Sequence, residues 1–274
     1  MPPPAGPMPG QKFALPGVTH LIAVASGKGG VGKSTVAANL AVALHHQGHS
    51  VGLMDADIYG PSVPLMFGLG LVDQSRTPFP VEKFGLKLMS MGFLVDPAKA
   101  VIWRGPKVAQ AVGSFLQQID WGTLDYLIID LPPGTGDAQL TLCQQAPLSG
   151  AVVVTTPGEV SLIDARKGVA MFAEVRVPVL GVVENMSYFV SGDGVTHRLF
   201  GEGGGRTLAT EAGVPFLGEL PIDPRVAECG NAGEPVVRKY PDAPPALAYL
   251  ELAKAVTAAL AARPAVAGLP GVEL

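Results

Sequence analysis

The sequence predicts an α/β fold, a mostly parallel sheet covered by helices on both faces. Two observations carry that expectation. Apolar β-type runs alternate with helix-like segments, and aspartates close two of those runs. LIAVAS (21–26) reads as a buried strand, and STVAANLAVALHHQG (34–48) as a helix stopped by Gly48. SVGLMD (50–55) is a second strand ending on an aspartate. From Pro106, apolar residues recur at Val108, Ala111, Val112, Phe115, Leu116 and Ile119, the stripe of an amphipathic helix. YLIID (126–130) and AVVVT (151–155) read as short strands, Ser161 to Glu174 as a helix, and VPVLGVVEN (177–185) as another strand. Beyond Asn185 the pattern dissolves into a glycine-rich stretch, followed by a short strand near 215–219 and an alanine-rich helix from about Pro245 to Ala262.

At 274 residues the chain is long enough to bury one sizeable core. Residues 1–17 read as a flexible Pro/Gly-rich lead-in, 18–264 as one domain and 265–274 as a tail. A net charge of −4 with 15% charged residues gives no basic field for nucleic acid. No apolar run reaches the roughly 18 residues of a membrane span, and MPPPAGPMPG lacks the apolar core of a signal peptide. Two cysteines, Cys143 and Cys229, are too few and too far apart for a disulfide scaffold. A soluble cytoplasmic protein is expected.

SGKGGVGKST (26–35) stands between the first strand and the first helix. Gly27, Gly32, Lys33 and Ser34 fit the phosphate-binding spacing G-x-x-x-x-G-K-[ST] in the context that motif requires. Amides of Gly27, Lys28, Gly29, Gly30, Val31 and Gly32 and the helix start at Lys33, Ser34 and Thr35 would face phosphate oxygens. Lys33 would neutralise the β- and γ-phosphates, and the Ser34 hydroxyl would bind Mg²⁺. ATP and Mg²⁺ are the expected ligands. Asp130 closes YLIID and suits a carboxylate that holds magnesium through water. Asp55 and Asp57 close the second strand, and one of them would orient the attacking water, although turn chemistry selects the same residue type.

Several long stretches occur in the order of one family: GKGGVGKST, DADIYGPSVPLMFG, WRGP, WGTLDYLIIDLPPGTGD, TTPGEVSLIDARKGV and ENMSYF. The loop resembles the deviant Walker A motif of the dimeric ATPases that include division-site placement, plasmid partition and nitrogenase iron proteins. Within that class the chain resembles the Mrp/ApbC-type iron–sulfur cluster carriers from about Leu15 to Ala262. The resemblance implies a homodimeric ATPase that acts on apoprotein clients or with cluster-assembly partners. It implies that the second loop lysine, Lys28, reaches nucleotide bound by the partner subunit. By the same resemblance Asp57 is the switch I aspartate, 132–137 (PPGTGD) is switch II, and Asn185 recognises adenine. Pro221, in PIDP, lines the other side of the base.

One departure stands out. In many family members ENMSYF runs on into C-P-x-C-G, a cysteine pair that holds a bridging cluster. Here Ser191 and Gly194 fall at those places. A serine oxygen replaces a soft thiolate poorly, and glycine offers no donor. Cys143, in QLTLCQQA, reads as a buried hydrophobe. Cys229, in RVAECGNAG, sits beside a turn, is expected to be the more exposed, and is the candidate iron–sulfur ligand, with His197 as a further one. Three readings stand at this point: a cluster carrier using other ligands or a partner, an ATPase that has lost the cluster site and serves as a nucleotide-gated assembly factor, and a positioning ATPase. Against the third, the C-terminal stretch has only Lys254 and Arg263 as basic residues, short of a membrane-binding helix.

Overall fold

A computed structural model describes residues 12–58, 60–70, 79–93, 112–113 and 116–263. WRGP (103–106), the start of the stripe after Pro106, most of the lead-in and the tail lie outside the described residues.

The chain runs β1 (Val18–Ser26), α1 (Lys33–His46), β2 (Val51–Asp55), α2 (Val63–Met66), β3 (Val81–Lys83), β4 (Leu86–Ser90) and β5 (Leu124–Asp130). It continues α3 (Asp137–Gln145), β6 (Gly150–Thr155), α4 (Glu159–Glu174), β7 (Val179–Val190), β8 (Thr196–His197), α5 (Gly204–Ala212), β9 (Phe216–Ile222), α6 (Pro224–Asn231), α7 (Val236–Lys239) and α8 (Pro244–Ala261). The strands form one sheet in the order β3-β4-β2-β5-β1-β6-β7-β8, with β9 also on β7. Among the described residues, only the β3–β4 and β7–β8 pairings are antiparallel. The mostly parallel sheet and every strand read from the sequence are present.

Alternation along β1 explains the two layers. Leu21, Ala23 and Ala25 enter one buried cluster, with Leu142 of α3, Phe172 of α4, Leu208 of α5 and the Val112, Leu116 and Ile119 side chains. Ile22 and Val24 enter the other, with Val36, Leu40 and Leu44 of α1 and Tyr249, Leu252 and Val256 of α8. Helix α1 is buried from Val36 to Leu44 because it lies between the sheet and α8, so its sequence is apolar all round rather than striped.

β1 pairs with β5 on one side and β6 on the other, both parallel. The chain leaves β1 towards β2 and later crosses from β5 to β6, so strand order reverses beside β1. A crevice at the carboxyl end of β1 follows from that reversal. Among the described residues, no helix is long and apolar enough to cross a membrane.

Three features differ from the sequence reading. β7 does not end at Asn185 but continues to Val190 and turns back into β8. The glycine-rich stretch in which the pattern dissolves contains α5, whose close packing the glycines permit: a Cβ on Gly204 would meet the Pro157 carbonyl oxygen at 2.2 Å. The β3–β4 hairpin turns through Phe84 and Gly85, both at positive φ, without the Asn-Gly or Asp-Gly pair that marks such turns in sequence.

Candidate functional site

The glycine loop joins the last residue of β1 to the first turn of α1. It is held from two sides. A Cβ on Gly27 would lie 2.1 Å from the Asp164 backbone of α4, and one on Gly32 2.2 Å from Asn185 Nδ2. Gly32 also has φ 82°, the left-handed region that glycine enters without a steric penalty. Helix α1 has no side-chain cap, so its first amides keep their donors for another acceptor. Lys28 is partly exposed on the loop and makes no ion pair among the described residues. Gly29 and Gly30 are exposed, whereas Val31 is buried.

Lys33 is buried and forms an ion pair with Asp130 Oδ1. Its Nζ also donates to Ser34 Oγ at 3.2 Å. Asp130 is inaccessible, and its second oxygen, Oδ2, has no hydrogen-bond partner among the described residues. Burial pushes the Asp130 carboxyl up, while the Lys33 charge and hydrogen bonds from Lys33 and Ser34 pull it back. An orphaned carboxylate oxygen next to a serine hydroxyl is an environment that fits a hydrated divalent cation.

Asp55 and Asp130 are register partners across β2 and β5. Burial first and the Asp130 charge second raise the Asp55 carboxyl to about 7, against hydrogen bonds from Val63, Asp57 and Ser90. Asp57, two residues on, accepts from Gly60 N at 3.1 Å with Oδ1.

Asn185 interrupts β7. Pairing with β9 shifts register between Glu184 and Tyr188, and Met186 takes φ 55°, a conformation that L-residues rarely adopt. This bulge turns Asn185 inward, where Nδ2 donates to the Val31 carbonyl at 2.8 Å. Asn185 and Pro221 line one cavity of about 600 Å³, with Gly32 and Thr35 of the loop and helix start. The Leu65, Met66, Leu199 and Phe200 side chains add apolar wall. Ser62, Asn39 and Asn231 are polar lining residues to which the sequence reading assigns no role. Asn39 bridges the Thr35 carbonyl and the Val237 amide. A lone asparagine in the apolar run VAANLAVAL was its signal.

Cys143 is buried as the sequence suggests, whereas Cys229 departs from the sequence reading. Cys229 is not exposed beside its turn but fully buried on the inner face of α6, among the core residues packed with Val236 and Val237. Burial raises its thiol, as it raises Cys143, to about 12 in the latter case. Among the described residues no group of three or more His, Cys, Asp or Glu side chains is placed to hold a metal. Ser191 and Gly194 lie instead in the exposed turn between β7 and β8. There Ser191 Oγ is 3.0 Å from His197 Nε2 and accompanies the Asp193 carboxylate. His197 therefore meets a hydroxyl, not a thiolate.

Comparison with known proteins agrees with this architecture. The family model of the ParA: NUBPL iron-transfer P-loop NTPases matches residues 17–257. The iron-sulfur cluster carrier protein of Aquifex aeolicus (strain VF5) is 54% identical over 249 residues, 89% of this chain and 68% of that protein. The iron-sulfur cluster transfer protein NUBPL of Dictyostelium discoideum is 47% identical over 252 residues, 89% of this chain and 78% of that protein. Among solved structures, the nucleotide-binding protein of Archaeoglobus fulgidus in complex with ADP is 41% identical with a TM-score of 0.70, covering 84% of this chain and 91% of that one. The Pyrococcus furiosus cell division ATPase MinD, 23% identical with a TM-score of 0.66 over 88% of this chain and 99% of its own, shares the fold. Phosphate loop, cavity and these relatives together show that the chain belongs to the iron–sulfur cluster carrier family of P-loop NTPases.

Proposed function

We propose that the protein is a Mg-ATP-hydrolysing homodimer of the carrier family, acting in cluster assembly or in transfer to apoprotein clients. The observation that carries this reading is the Lys33–Asp130 ion pair, with its orphaned Asp130 Oδ2 beside Ser34 at the start of an uncapped helix. Ser34 Oγ and, through water, Asp130 would hold Mg²⁺, which would supply charge neutralisation to the phosphates. When nucleotide enters, Lys33 turns from Asp130 to the phosphates. Asp57 orients the attacking water, and Asn185 and Pro221 flank the adenine. Lys28 acts on the partner subunit's nucleotide. Exposed Val160, Ile163, Leu199 and Phe200 support the dimer, because exposed apolar side chains favour burial against a second chain.

A second reading concerns the cargo. Ser191, Gly194 and the buried cysteines supply no thiolate at the β7–β8 turn, which favours a nucleotide-gated assembly factor whose partner provides the sulfur ligands. Calorimetry with Mg-ATP, together with a phosphate-release assay on the full chain, tests the ATPase reading. Absence of binding in the parent, or release unchanged in Lys33→Ala, would overturn it.

A further inference from the structure

Asp55 closes β2 one strand away from Asp130, yet it is fully buried and does not line the nucleotide cavity. Its oxygens are turned to the loop that follows. Oδ1 accepts from Asp57 N at 3.1 Å. Oδ2 accepts from Ser62 N at 3.1 Å and Val63 N at 3.2 Å, and from Ser90 Oγ at 3.1 Å. Ser90 Oγ in turn accepts from Gly92 N at 3.0 Å. One carboxylate thus grips the first and last parts of the segment from Asp57 to Val63 and ties both to the end of β4. The next residue is tied to the phosphate side: Ala56 N donates to the Asp130 carbonyl at 3.0 Å.

The geometry points to Asp55 as a positioning residue for hydrolysis, a clasp that sets both Asp57 and the Ser62–Met66 wall against the phosphate loop. The inference rests on the ATPase reading above. A cap for α2 alone would need only the Ser62 and Val63 contacts. The Asp57 contact is what joins the carboxylate to the chemistry, because Asp57 N fixes the backbone from which the water-orienting side chain springs. The backbone amides facing Asp55 at both ends of the segment can only donate, whereas the Ser90 hydroxyl can donate or accept. Asparagine, with one oxygen and one NH₂, must therefore set donor against donor at one end of the segment.

The test compares the full-length parent, Asp55→Asn and Ser90→Ala. Turnover of Mg-ATP, affinity for Mg-ADP by calorimetry and amide exchange over 57–63 are measured in each. Asp55→Asn should lower kcat by at least about 10-fold, since misplacing a reacting group by an ångström costs up to about 100-fold. Its Mg-ADP affinity should fall clearly less than kcat, because the loop and helix-start contacts are retained and only the Ser62–Met66 wall loosens. Amides of Asp57, Ser62 and Val63 should exchange faster than in the parent. Ser90→Ala, which removes one contact of the same clasp, should move kcat in the same direction by about two- to fivefold, the effect of one modest hydrogen bond. A folded Asp55→Asn with parental kcat, or with ADP affinity falling as far as kcat, overturns the proposal. If Asp55→Asn does not fold, unchanged turnover and exchange in Ser90→Ala overturn it. If the parent itself releases no phosphate, the ATPase reading fails, and amide exchange still decides whether the clasp exists.

Discussion

Lys33 and Asp130 are paired inside the protein, lysine Nζ to carboxylate Oδ1, while Asp130 Oδ2 has no hydrogen-bond partner among the described residues. The lysine is thereby stored, buried and oriented, next to the place where phosphates would lie.

Lys33→Ala removes both the stored cation and its phosphate contact. Affinity for Mg-ATP should fall by at least about 100-fold, roughly 3 kcal/mol. The nucleotide-free protein should also lose stability, but less than the roughly 3–5 kcal/mol of a stranded buried charge, because Asp130 can take up a proton instead. Calorimetry and urea unfolding report the two effects. Wild-type affinity in this variant would remove Lys33 from the site.

Lys28 stands partly exposed on the loop, without an acidic partner among the described residues. Lys28→Ala should keep nucleotide affinity within about threefold and lose roughly 100-fold or more in turnover, as expected for a charge that serves the transition state. Mixing it with Asp57→Ala is the sharper measurement. Half the dimers in a random equimolar mixture are mixed and each has one complete site of two, so about a quarter of parental activity should return. No recovery in demonstrably mixed dimers would place Lys28 in its own subunit's site.

Stability of the metal-free, nucleotide-free protein should fall as pH rises through about 7. Asp55 holds its proton up to about 7 in the fold against an ordinary value of 3.8, so the native state binds more protons than the unfolded chain between those values. Its contribution is complete below the unfolded value and lost as pH climbs through the folded one. Asp130 is raised in the same direction. Asp223 acts oppositely: Arg225 holds its carboxyl down, so that stabilisation is lost as pH falls below the ordinary carboxylate range. Chemical denaturation at pH 5.5, 7 and 8.5 should therefore show the highest midpoint at the acidic end. A midpoint that rises across this interval would contradict the assignment.

Neither cysteine should react with a thiol reagent at pH 8 in the native protein, and both should react in denaturant, since both are buried and their thiols are raised. Anaerobic reconstitution with iron and sulfide should leave the unmodified protein with well under one cluster per dimer. Ser191→Cys with Gly194→Cys should raise the iron content only partly. Gly194 has φ 83°, and a side chain there costs roughly 1–2 kcal/mol unless the turn changes shape. Near-stoichiometric iron and sulfide in the unmodified dimer would overturn this expectation.

The parallel sheet was legible because β-branched runs such as AVVVT have no competing periodicity, and the phosphate loop because its spacing is local. The β3–β4 hairpin was not, since Phe84 adopts positive φ before Gly85 where an Asn or Asp would advertise the turn. Cys229 was misjudged by weighing the neighbouring turn over the helix. PIDPRVAECGN carries an aspartate cap and a proline at the first helical position, and Val226 and Cys229 then fall three apart on one face. Asn185 could be named from the resemblance, but its contact with Val31 depends on a bulge that pairing with β9 creates, which no local pattern encodes. The role of Asp55 was hidden for a similar reason: its partners at Ser62, Val63 and Ser90 are brought to it by the sheet.

β7 is a single strand from the cavity at Asn185 to the turn that starts at Ser191. A Cβ placed at Gly192 or Gly194 would touch nothing within 4 Å. The turn is consequently an interchangeable cassette at the end of a fixed strut. A side chain exchanged at Gly192 would therefore leave the packing beneath untouched, because the turn stands clear of the core.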